Sequence, residues 1–211
     1  MSREDEFAVA LRELLASLRS EPAEAATTAA ALLELNSFPV FSSTDGLYYE
    51  RLLPAGLMER ELHQDEELRV VDELHRLIVK SSNKREHDRS ARSGLIYALG
   101  RSNPWVGIQK ILDILVNHRS SLSIGDVHQC VHSLQRCLDL SEDHSRFSEV
   151  ASALAQLSPT PVLEAMATVP LELDHETECL PRDIESVLRQ IQRFAPKPDS
   201  ESSANGAQTP D

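Results

Sequence analysis

His128 and His132 are the one pair in this chain with metal-ligand spacing, reading His-Gln-Cys-Val-His. At i and i+4 on a helix they share a face and can both reach one ion, the arrangement of the HExxH helix. Gln129 stands where that helix carries its general-base glutamate, so a metallohydrolase would lack its central residue. Cys130 points off that face, and a third ligand would have to come from His144 or His175. The expectation is two partly exposed histidines, with no metal and no cofactor.

The other chemistry-bearing residues form no site. Cys137 follows Cys130 by two helical turns, and both sit among apolar residues, as small core side chains do. With Cys179 they make an odd, widely spaced set, which is not a disulfide framework. His63, His75, His87 and His118 stand in polar surroundings with no nucleophile pattern nearby. Neither GxGxxG, GxxxxGK[ST] nor GxSxG occurs. The acidic run from Glu172 to Glu178 lacks the central glycine and closing glutamate of a calcium loop. Asp65, Glu66 and Glu67 stand at a helix start, where the macrodipole favours acids for structural reasons. No catalytic constellation is left, and the chain reads as a non-enzyme.

The elements that must carry these residues are helical. Ser2 is placed to cap a first helix with Phe7, Leu11, Leu14, Leu15 and Leu18 on one stripe, and Pro22 opens an Ala-rich second helix to about Leu35. Residues 36–46 form a turn-rich break. A third helix from about Leu47 is interrupted at Pro54 and Gly56 and resumes at Leu57. Residues 66–81 show an amphipathic pattern with Leu68, Val71, Leu74, Leu77 and Ile78. Further helices are expected at 124–140, 146–157, 162–168 and 182–194, with an acidic loop at 170–180. The domain would span 1–194, with 1–62 a candidate subdomain and 195–211 a disordered acidic tail.

The clearest element pair runs from Ala91 to Leu115. Leu95, Ile96 and Leu99 lie at helical spacing, and Trp105, Ile108, Ile111, Leu112 and Leu115 line one face of a second helix. Gly100 is expected to close the first helix in the left-handed conformation, with Asn103 capping the second and Pro104 in its first turn. The small-residue helix ending Ala98-Leu99-Gly100, the turn, and the second helix ending Leu112-Asp113-Ile114-Leu115 resemble a HEAT repeat. Leu99 and Leu138, about 40 residues apart, match the period of HEAT and armadillo repeats. The resemblance covers residues 91–115, and Arg101-Ser102-Asn103 replaces the family's turn aspartate and basic residue. It implies an all-α protein of stacked antiparallel helical hairpins, a short HEAT-like solenoid, with an irregular helical bundle as the alternative.

Composition agrees with helices. Aromatics are only 4% of the 211 residues and glycines number seven, which suits helix-on-helix packing better than a β-sandwich. No apolar run approaches the roughly 18–20 residues of a membrane span. The acidic N-terminus is unlike a secretory signal, so a cytoplasmic location is expected.

The net charge of −13 is unevenly placed. Residues 1–75 hold 6 basic and 16 acidic side chains, residues 76–136 hold 10 and 4, and residues 137–211 hold 5 and 14. The basic centre gathers at Arg76, Lys80, Lys84, Arg85, Arg89 and Arg92. It would either form a cationic docking patch or pair with acids of neighbouring helices. Nucleic acid is disfavoured by the acidic balance and the scarcity of interleaved aromatics. The expected function is protein binding, most concretely by an acidic antagonist or immunity-type protein that neutralises a basic effector. An assembly adaptor or chaperone is the alternative, and a metal-dependent hydrolase is less favoured. No small-molecule substrate is indicated. Candidate contact residues are Lys80, Lys84, Arg85, Arg89, Arg92 and Trp105, although Trp105 also continues an apolar stripe and fits the core.

Overall fold

The computed structural model describes residues 2–37, 51–81 and 86–142, with short helical stretches at 185–187 and 189–190. Among these the regular structure is entirely helical, with no strand. The expected elements at 47–50, 146–157, 162–168 and 170–180, most of that at 182–194, and the tail at 195–211 lie outside the described residues.

Helix α1 spans Arg3–Ser20 and begins with a capping box: Asp5 N–H donates to Ser2 Oγ, and Ser2 N–H donates to Asp5 Oδ2. Its buried stripe is the expected set, Phe7, Leu11, Leu14, Leu15 and Leu18. Helix α2, Pro22–Ser37, buries alanines and Leu32 and Leu33, so neighbouring helices can approach closely. The expected helical resumption at Leu57 is instead a 3-10 turn, Ala55–Met58, packed on α1. There a Cβ on Gly56 would lie 2.9 Å from Ala10 Cβ.

Helix α3 is Gln64–Lys80, and its buried residues are Glu67, Val70, Val71, Glu73, Leu74 and Ile78. Leu68, expected among them, is exposed. Glu67 takes the inward position one residue earlier, because the corner between the next two helices supplies hydrogen-bond donors for it.

Helices α4 (Glu86–Leu99) and α5 (Pro104–Asn117) follow, and after a 3-10 turn (Arg119–Ser121) comes α6, Ile124–Glu142. Helix α4 is central and packs on α2, α3 and α6. Helices α4 and α5 each meet α6 more extensively than they meet each other, so α6 completes the unit that 91–115 begins. One apolar cluster runs from Phe7 in α1 to Leu138 in α6 and takes in Val187.

The corner itself departs from expectation. No glycine among the described residues has positive φ, so Gly100 does not close α4 in the left-handed conformation. The chain tightens instead through Arg101 N–H to Ala98 O and Ser102 N–H to Leu99 O. Glycine is required by proximity: a Cβ at position 100 would lie 2.3 Å from Ser133 Oγ and 3.0 Å from Ser133 Cα. Pro104 occupies the first turn of α5 as expected, but the Asn103 side chain does not cap that helix. It donates to Glu67 Oε2 at 2.7 Å, while its backbone N–H donates to Glu67 Oε1 at 2.8 Å.

Candidate functional site

The fold mixes the charge that the sequence segregates. Arg76 pairs with Glu73, Lys110 with Asp72, and both Arg101 and Arg136 with the buried Glu34. Arg136 also donates to Gly100 O at 2.9 Å, tying α6 to the corner.

Arg92, expected on a cationic docking patch, is buried. Its Nε donates to Asp126 Oδ2 at 3.0 Å, and Nη1 donates to Ser121 O at 2.9 Å. Asp126 also accepts from Ser123 N–H and Oγ, closing a capping box at the start of α6. Arg92 is therefore an internal bolt between α4 and α6, not a contact for a partner. Lys80 is exposed at the end of α3. Lys84, Arg85 and the side chain of Arg89 lie outside the described residues. Trp105 is half-buried and packs against the core.

With these cations committed, carboxylates dominate one groove. Between α1 and α2 a cavity of about 290 Å³ is lined by Glu13, Glu21 and Glu24 above Leu14, Ala25 and Leu57. None of the three carboxylates has an ion-pair partner among the described residues. A lysine or arginine fits such a groove, its aliphatic stem on the apolar floor and its charge among the glutamates. The sequence marked the N-terminal region as acidic but could not show which acids would be left unpaired.

His128 and His132 do converge. Their Nε2 atoms are 2.9 Å apart and the rings meet edge to face on α6. Cys130 lies on the buried side of the same helix, where burial pushes its thiol well above the usual range. Cys137 is likewise buried, its thiol pushed up to about 12, so neither is a ready thiolate ligand. Among the described residues no group of three or more His, Cys, Asp or Glu could hold a metal ion.

A second cluster has no signal in the sequence. His75 Nε2 of α3 lies 2.7 Å from Asp113 Oδ2 of α5, and His118 Nε2 at the end of α5 lies 3.6 Å from the same oxygen. Burial pushes the Asp113 carboxyl up, but hydrogen bonds from Asn117 and His75 outweigh it and hold the group below its usual value. Among the described residues no nucleophile is hydrogen-bonded to the cluster, which joins α3 to α5. No family model, no curated protein and no solved structure matches this chain.

Proposed function

We propose that this chain is a non-enzymatic protein-binding protein that docks on a basic partner and neutralises its cationic surface. The observation that carries the reading is the groove between α1 and α2. Glu13, Glu21 and Glu24 surround it without ion-pair partners among the described residues, while Arg92, Arg101, Lys110 and Arg136 are drawn into pairs within the chain. The net charge of −13 adds long-range steering toward a basic molecule and repels nucleic acid. The helical scaffold is read as a short HEAT-like stack on the strength of residues 91–115.

The test compares capture of partners by the full chain and by a Glu13→Gln, Glu21→Gln, Glu24→Gln variant, at low and at moderate salt. The expected result is a stoichiometric basic protein, weakened by salt and lost from the variant. Recovery of no such protein, or equal recovery by both, overturns the reading.

A further inference from the structure

The geometry points to His128 and His132 as a two-point binding site for a borderline divalent transition-metal ion, Cu(II) or Ni(II) foremost. This is independent of partner binding and implies no hydrolytic chemistry. Two nitrogens each about 2.0–2.1 Å from an ion are about 2.9 Å apart at a right angle and about 3.3 Å apart at the tetrahedral angle. The observed Nε2 separation of 2.9 Å is the right-angle value. Tetragonal ions with imidazole ligands are Cu(II) and Ni(II), whereas Zn(II) would require the rings to open by a few tenths of an ångström.

The helix supplies the preorganisation. Four-residue spacing stacks the two rings on one face, and α6 is anchored at its start by the Ser123–Asp126 capping box and the Arg92 bolt. A chelating ion finds both donors already in place, so little ordering is lost on binding. The ion takes the Nε2 lone pair of each ring, and the proton held between the two nitrogens is released to solvent. His132 is exposed, so an ion can reach the pair from solvent. Cys130 is excluded as a third ligand because it sits on the buried side of the helix.

The experiment titrates the full chain with nickel chloride, then copper chloride, by calorimetry at pH 7.5. The expected result is one site per chain that weakens at least tenfold in His128→Gln and in His132→Gln, because a single imidazole loses chelation. His63→Gln should leave it unchanged. Copper bound to the unaltered chain should show nitrogen ligation in its electron paramagnetic resonance spectrum. Circular dichroism checks that each variant stays helical. If His128→Gln unfolds, the exposed His132 decides alone. Affinity unchanged in His132→Gln, or an equal loss in His63→Gln, overturns the proposal.

Discussion

Arg92 of α4 and Asp126 of α6 form an ion pair whose side chains are essentially closed to solvent. Taking both charges out of water costs several kcal/mol per ion, and the pair holds only because the other donors and acceptors are also engaged. Arg92 reaches Ser121 O, and Asp126 receives Ser123 N–H and Oγ. The pair therefore fixes the entry of α6, the helix on which both α4 and α5 rest.

Removing one partner leaves a buried charge uncompensated. Arg92→Met should lower unfolding free energy by about 3–5 kcal/mol, read by urea denaturation. Asp126→Asn leaves the buried Arg92 guanidinium without its counter-ion and should cost a comparable amount, although the amide oxygen can still accept from Ser123. Small losses in both would place the pair in contact with water.

Gly100 tests how closely α6 approaches the corner. Gly100→Ala drives a methyl into Ser133 and should cost about 1–3 kcal/mol by overpacking. Ser133→Gly in the same chain removes the oxygen and carbon met first but not Cα, so it should restore part of the loss. That non-additivity, measured as a double-mutant cycle, is the signature of direct contact. A strictly additive pair would mean that glycine serves another purpose.

What was legible in the sequence was local. The Ser2 cap, the α1 stripe and the start of α5 at Pro104 depend on residues within about one or two helical turns. What was not legible depends on residues brought together from afar. Arg92 resembles its basic neighbours until Asp126, 34 positions on, is placed beside it. Gly100 looks like a helix terminator until Ser133 comes against it. Glu67 looks like one of three acids favoured by a helix start, yet it faces inward to Asn103 while Glu66 caps the helix through His63 N–H. The His128–His132 spacing was readable, and only the ring geometry adds the 2.9 Å approach.

Stability should fall in acid over a defined window. Hydrogen bonds from Arg76, and then from Arg19, hold the Glu73 carboxyl down at about 2, below its ordinary value of 4.5. A depressed carboxylate contributes its full stabilisation above the ordinary value and loses it as pH falls toward the folded-state value. Glu66, hydrogen-bonded by Arg60, is depressed with the same sign. The urea midpoint should therefore drop between pH 4.5 and about 2, and Glu73→Gln should flatten the drop. An unchanged slope in that variant would remove Glu73 from the account.

Glu67 offers the sharpest test of the corner, because its effect can be read at one amide. Its two oxygens accept from Asn103 N–H and Nδ2, and Asn36 Nδ2 approaches the second at 3.3 Å. Glu67→Ala leaves the buried Asn103 N–H without this acceptor, a loss of about 1–3 kcal/mol for each such group. Glu67→Gln retains one oxygen and sets an amide NH2 against another donor, so its cost should be smaller but not zero. Hydrogen exchange separates this from general loosening: the Asn103 amide should lose protection in Glu67→Ala out of proportion to core amides of α4. Loss of protection spread evenly over α4, α5 and α6 would show that Glu67 supports the whole assembly and not the corner.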